Sequence, residues 1–225
     1  LWPPSPFGTL AHAGPMSRTV TDTALLLTVL AEADARDWTA LPPDDRNYRD
    51  DLTGGVSGLR VAYSPTLGNA AVDPAVRKVT DAAAQTFAEL GAHVEEAEPE
   101  VPDPLETFTA LWYSGAANAM RHLDEGERSL LDPGLVEIVA AGGELSALDY
   151  LAAAGERGAL GVRLSRFHES FDLLLTPTVG IPAFAAGREV PDGWPAERWP
   201  TWARFSLVFN LTQQPAASVP CGFSS

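Results

Sequence analysis

Apolar and polar positions alternate along the chain in a way that separates helical from extended segments. Val20, Ala24, Leu27 and Leu30 or Ala31 recur at three and four, which predicts a helix from about Thr19 to Ala33. Thr19 and Asp22 supply the Thr-x-x-Asp start of a capping box ahead of it. The polar stretch "DARDWTALPPDDRNYRDDLTGG" then reads as a surface excursion. "GLRVAYSP" predicts a short strand over Leu59 to Tyr63, ended by Ser-Pro. The next helix is signed at both ends, with Asp73 as N-cap, Pro74 in the first helical position and Gly91 after the last periodic residue. Its buried face is expected at Val76, Val79, Ala83, Phe87 and Leu90. "AHVEEAEPE" reads as a strand with acidic outer positions, and strand, helix, strand in this order predicts a parallel α/β unit.

Residues 104–170 carry a helical pattern broken at "LDPGL" and "AGGELSA", where Asp132-Pro133 and Ser146 look like helix starts. "FDLLLTPT" predicts a short buried strand stopped by Thr-Pro. The following "VGIPAFAAGREVPDGWPAERWP" is dense in Pro, Gly and Trp and predicts a long loop. A helix over about Thr201 to Leu211 and a strand at "AASVPCG" complete the pattern. With no internal repeat and no linker-like tract, the expected architecture is one α/β domain spanning 1–225.

Composition narrows the function. The 225 residues are 45% hydrophobic and 20% charged, as in ordinary globular proteins, and are enough for a proper core. A net charge of −15 argues against nucleic acid, since phosphate binding needs a cationic surface. No run approaches the ~18 apolar residues of a membrane span. Cys221 is the single cysteine, which excludes an intramolecular disulfide and a multi-cysteine zinc site and fits a reducing, cytoplasmic setting.

Candidate chemistry is sparse. His12, His93, His122 and His168 are scattered, so no metal site is expected. "GGVSG" at Gly54 to Gly58 lacks a Lys-Ser/Thr ending and reads as a loop, so no nucleotide or other cofactor is expected either. No Gly-x-Ser-x-Gly nucleophile elbow is present, and Cys221 reads as a packing residue rather than a nucleophile. The carboxylate pairs Glu95–Glu96 and Asp44–Asp45 fall in acidic surface segments. The residues alone give an α/β domain with no self-contained catalytic constellation.

Four ordered blocks add a resemblance. "GPMSRTVTDTALLLTVLAEADARDWTALP" resembles the segment downstream of the active-site core in the amidase signature family, and "GLRVAYSPTLGNAAVDPAVRKVTDAAAQTFAELGAHVEE" follows as it does there. "DYLAAAGERGALGVRLSRFHESFDLLLTPTVGIPAF" and "FNLTQQPAASVPCGF" are similar to later blocks of the same family. The resemblance implies serine amidohydrolase chemistry on a small-molecule amide, with a Ser nucleophile, a second Ser in a cis peptide as proton relay and a Lys base. In the family these residues precede the Gly-Pro-Met block. Here Lys78 is the only lysine and neighbours Arg77 on the solvent face of its helix, while Ser224–Ser225 is the only Ser-Ser pair. The resemblance therefore implies the C-terminal portion of a single α/β domain, a mixed β-sheet core covered by helices, truncated at both ends and with no catalytic residue of its own. A separate N-terminal half or a homo-oligomer is the corresponding partner. A split or decayed relative, acting as a binding or structural module, is the alternative.

For the pocket, the resemblance implies a wall at Thr176, Pro177 and Thr178, with Ile181 and Phe184 as apolar lining. The two threonines could equally cap a strand end. Arg157 matches the place where glutamine-using relatives hold the substrate carboxylate, a salt bridge to a local acid being the other reading. Those relatives carry an acid in the final helix where Trp202 or a neighbour stands here, which disfavours glutamine and a tRNA-amidotransferase role. Trp112 and Tyr113 suit an aryl or alkyl amide, or serve as core aromatics.

Overall fold

A computed structural model describes residues 5–37, 39–42, 46–50, 52–68 and 70–224. Asp44, Asp45 and Ser225 lie outside the described residues. Three short strands, β1 (Arg60–Tyr63), β2 (His93–Glu96) and β3 (Leu173–Leu175), form a sheet in the order β2-β1-β3, all parallel. The predicted strand–helix–strand unit is β1, α2 (Pro74–Glu89) and β2, with Arg60 opposite His93 and Tyr63 opposite Glu96. β3 pairs with the other edge of β1, Val61 opposite Leu173 and Tyr63 opposite Leu175. Asp172 secures this pairing at its start, accepting Arg60 N at 2.8 Å and donating its own N–H to Arg60 O at 2.8 Å.

Helices cover both faces of the sheet. On one face the Tyr63 hydroxyl donates to Asp81 on α2 at 2.7 Å and meets Thr80 at 3.2 Å. Burial pushes this phenol up to about 12, with Asp81 adding to the effect, so it remains a donor. On the other face Leu174 joins the main core, built from α3 (Leu105–Met120), α6 (Ala147–Phe167) and α7 (Arg204–Thr212) around Phe108, Leu164, Phe205 and Leu207. α5 (Pro133–Gly143) packs on α3 through Ala116, Ile138 and Val139.

Local signals account for most helix starts. Asp73, Asp132 and Ser146 each cap as expected, Ser146 in a reciprocal box with Asp149. Asp22 N donates to Thr19 Oγ1 at 3.1 Å at the start of α1 (Val20–Leu30), which ends earlier than the expected Ala33. A one-turn helix, α4 (Glu125–Arg128), starts on an Asp124–Glu127 capping box that the apolar pattern does not reveal.

Three expectations need correction. Leu90 is 61% exposed, whereas Val76, Val79, Ala83 and Phe87 are half-buried as expected, and the most deeply buried α2 positions are Thr80 and Ala84 beside the Tyr63–Asp81 contact. β3 is an edge strand with Leu173 exposed. "AASVPCG" forms no strand: none of the described strands pairs with it, and Phe223 is 97% exposed. α1 is also notable, since it is apolar on every side yet buries only Ala24, leaving Val20 64% and Leu30 59% exposed.

The turn after β1 is held from outside. Leu67 adopts a left-handed backbone (φ 46°) while buried, which is costly for a branched side chain. Glu98 compensates: its carboxylate accepts Thr66 N at 3.1 Å, Thr66 Oγ1 at 2.7 Å and Gly68 N at 2.7 Å, and takes the Ser64 hydroxyl as well. Desolvation pulls the Glu98 pKa upward, but the Ser64 and Thr66 hydroxyls and the two amides outweigh it and hold the carboxyl below its ordinary value.

Two substitutions test this packing. A Cβ on Gly142 would lie 2.0 Å from Tyr113 O, where α5 crosses α3 backbone to backbone, whereas Gly158 in α6 faces open space. Gly142→Ala is expected to destabilise by ~2 kcal/mol or more and Gly158→Ala to stabilise by ~0.5–1 kcal/mol, read from denaturant midpoints. Glu98→Gln is expected to cost about 1 kcal/mol, kept modest because the carboxylate is partly open to water. A depressed carboxyl contributes stability that is full above its unfolded pKa of about 4.3 and is lost as pH falls through the lower folded value. Thermal melts of the variant should accordingly change less than wild type below about pH 4.5.

Candidate functional site

Parallel sheets bind ligands outside the carboxyl ends of their strands. Here those ends are Ser64 after β1 and Thr176 after β3, joined by Ser64 N donating to Leu175 O at 2.9 Å. The chain beyond β3 folds back over the start of α2. Asp73 N donates to Gly180 O at 2.7 Å, and a Cβ on Gly180 would come within 2.3 Å of Ala71 O, so this close approach requires glycine. Pro177 is fully buried beneath this crossing.

Thr176 is half-buried, and its hydroxyl donates to Pro177 O at 2.9 Å. Thr178 is exposed and shares a 3.0 Å hydrogen bond with Ser218. Both hydroxyls thus have local partners at the strand end, and both sit at its mouth. Phe184 is half-buried and meets Trp202 edge-on, ring centroids 5.8 Å apart. Ile181 is half-buried in the same segment.

Trp112 lies in an aromatic stack on α3. It stacks on Phe7 at 4.0 Å and Phe108 at 5.3 Å, and meets Trp199 edge-on at 6.1 Å. Trp199 and Trp202 belong to the same short stretch, so this stack and Phe184 flank one aromatic assembly. Burial raises the Tyr113 phenol pKa beside it.

Arg157 occupies the buried face of α6, in line with Ala153, Leu160 and Leu164. Its Nε donates to Leu211 O at 2.5 Å and its Nη2 to Thr9 O at 3.1 Å. Desolvation lowers its pKa. Leu211 O belongs to the last turn of α7, which ends on Gln213 in the left-handed region (φ 59°). The guanidinium therefore completes a helix C-terminus and ties it to the Gly8–Leu10 turn. In place of the acid of the alternative reading, the guanidinium meets two backbone carbonyls.

The other singled-out residues lie on separate elements. Lys78 and Cys221 are exposed. His122 accepts Arg121 Nε at 2.9 Å, and His168 faces Phe171 O at 3.3 Å. Glu96 pairs with Arg77 at 3.7 Å. Among the described residues no three His, Cys, Asp or Glu side chains gather as a metal site would require. An open groove of about 720 Å³, lined by Arg60, His93, Glu95 and Phe171, lies at the opposite, amino end of the strands. Among the described residues no helix is long and apolar enough to cross a membrane.

Sequence reading missed Glu189 and Arg198, which organise the loop after β3. Glu189 accepts Arg198 Nη1 at 2.9 Å and Trp199 N at 3.1 Å. The available signal was the placing of one acid and one arginine around the Trp-Pro pairs of "REVPDGWPAERWP".

Comparison with known proteins identifies the family of this fold. The chain is 34% identical over 221 residues to an acylamidase of Rhodococcus erythropolis, covering 96% of this chain and 46% of that protein. It is 31% identical over 251 residues to a glutamyl-tRNA(Gln) amidotransferase subunit of Myxococcus xanthus, covering 98% and 51%. The solved structure of a bacterial aryl acylamidase of the amidase signature enzymes superposes with a TM-score of 0.83 at 25% identity, over 93% of this chain and 46% of that one. The chain thus spans about half the length of the curated relatives it matches. The Amidase family itself matches over residues 7–225, and the chain belongs to that family.

Proposed function

We propose that this chain forms the C-terminal wall of an amide hydrolase, whose serine nucleophile, relay serine and lysine base come from sequence preceding it. The serine would add to the carboxamide carbonyl and expel the amine or ammonia, and water would then hydrolyse the acyl-serine to give the carboxylic acid and restore the serine. The family match across residues 7–225 carries this reading. An exposed Lys78 as the only lysine supports placing the base elsewhere. Thr176, Thr178 and Phe184 form the wall in this proposal, with the buried Pro177 behind it and Trp112 backing its aromatic side.

The substrate we favour is an amide with an aryl or alkyl group rather than glutamine. Phe184 against Trp202 offers an apolar surface, and residues 199–212 carry no Asp or Glu in the place where glutamine-using relatives hold the amino group. Similarity to an acylamidase points the same way. We place the protein in the cytoplasm, on its lone cysteine. A second reading, a binding or structural module completed by another chain, draws support from the exposed apolar surface of α1. Its partner would be a separate N-terminal half or a second copy.

Assays of the complete reading frame and of this chain alone separate these readings. Release of aniline from an acyl anilide is expected from the former, with little ammonia from glutamine, and no turnover is expected from the chain alone. Turnover by the chain alone that disappears in Cys221→Ala would contradict the proposal, as would a preference for glutamine.

Arg157 has its own test. Arg157→Met should lower stability by ~1–2 kcal/mol, since two carbonyls lose a charged donor. It should also affect neutral and carboxylate-bearing amides alike. A KM increase confined to carboxylate-bearing substrates, with stability unchanged, would instead assign the guanidinium to the substrate.

A further inference from the structure

Long loops without regular structure are uncommon in compact domains and are usually tied to function or to disorder. The loop from Thr176 to Ala203 leaves the ligand-facing end of β3, and polar contacts fix it in place. Glu189 stands near its centre. Its carboxylate receives Arg198 Nη1 at 2.9 Å and Trp199 N at 3.1 Å, while its backbone carbonyl receives Trp202 Nε1 at 3.0 Å. Arg198 continues outward to the Glu137 carboxylate on α5. Trp194 Nε1 closes the loop tip by donating to Thr201 Oγ1 at 2.8 Å.

These contacts form one line from the scaffold to the wall: Glu137, Arg198, Glu189, Trp202, Phe184. The first turn of α5 backs it directly. A Cβ on Gly134 would lie 3.1 Å from Glu189 Oε2 and 3.3 Å from Arg198 Nη1. A carboxylate so placed also gains from the partial positive charge of a helix start. The Arg198 side chain is only 24% exposed, and a planar guanidinium can serve two carboxylates with separate N–H groups. Ion pairs near the surface add little to global stability. Losing this one would therefore change where the loop rests more than whether the domain folds.

Resting on the amide-hydrolase reading above, we infer that Arg198 is a positioning residue for substrate: by bridging Glu189 to Glu137 it fixes the loop so that Phe184 stays against Trp202 in the pocket wall. Arg198 touches no reacting atom in this arrangement. It acts through Phe184 on the apolar part of the amide, and so on binding rather than on bond cleavage.

The test uses the complete enzyme with Arg198→Met and Arg198→Lys. Arg198→Met is expected to raise KM for an acyl anilide about tenfold while kcat stays within about twofold. Arg198→Lys should recover part of the loss, because an ammonium can hold one carboxylate but not both in the same geometry. Hydrogen exchange should quicken across residues 186–202 in Arg198→Met, with the melting temperature within about 3 °C of wild type. An unchanged KM overturns the inference, as does a parallel fall of kcat and melting temperature, which would mark Arg198 as a general fold element. If the wild type hydrolyses no anilide, the activity reading fails separately. Exchange then decides alone: faster exchange confined to 186–202 supports the bridge, and unaltered protection in Arg198→Met overturns it.

Discussion

The parallel pairing of β1 with β3 is the constraint on which the remainder of the structure depends. It joins Arg60 to Asp172 across more than half the described chain, and everything between them must close as one long excursion. Closing a loop of that length is entropically unfavourable, but the cost grows only slowly with length. The excursion offsets it by carrying α3 and α6, which with α7 form the main core around Leu174. Once the two strands are in register, Leu175 O meets Ser64 N, and the chain beyond β3 must pass over Ala71 and Asp73. The candidate pocket wall is a consequence of that register. A slip of one residue would turn Leu174 away from the core and move Thr176 off the strand mouth.

Two carboxylates then hold the loops that the sheet alone leaves loose. Glu98 stabilises the left-handed Leu67 turn after β1, and Glu189 organises the long loop after β3. Both accept backbone N–H groups together with side-chain donors. Such bonds are directional, so they fix position better than apolar contact would. Arg157 follows the same logic with reversed charge, closing the carbonyl end of α7. An acidic protein with few cations thus places three charged side chains where backbone groups would otherwise lack partners.

How far the fold was legible depended on the range of each signal. Asp73, Asp132 and Ser146 act within a turn of their own helices, so their caps were readable from adjacent residues. The strand, helix, strand unit was readable because apolar periodicity and chain order suffice for it. The face of α2 was readable at Val76, Val79, Ala83 and Phe87, but not the exposure of Leu90 or the deep burial of Thr80 beside the Tyr63–Asp81 contact, which another element supplies. "AASVPCG" has strand composition, but a strand exists only when a neighbouring edge is paired with it. Arg157 was legible as a chosen position on α6, while its partners came from segments 148 and 54 residues away.

By itself the sequence determined the α/β class and the starts of α2, α5 and α6, because these rest on residue type and short spacing, and its ordered blocks resembled the family that it matches. Tertiary structure alone decided what the candidate site residues touch. It engaged the threonine hydroxyls at the strand mouth, set Trp112 into an aromatic stack, turned Arg157 onto two carbonyls and brought Arg198 between Glu189 and Glu137. The reason is physical. A side chain's chemistry is fixed by its type, but its partner depends on which distant backbone the fold brings within hydrogen-bonding distance.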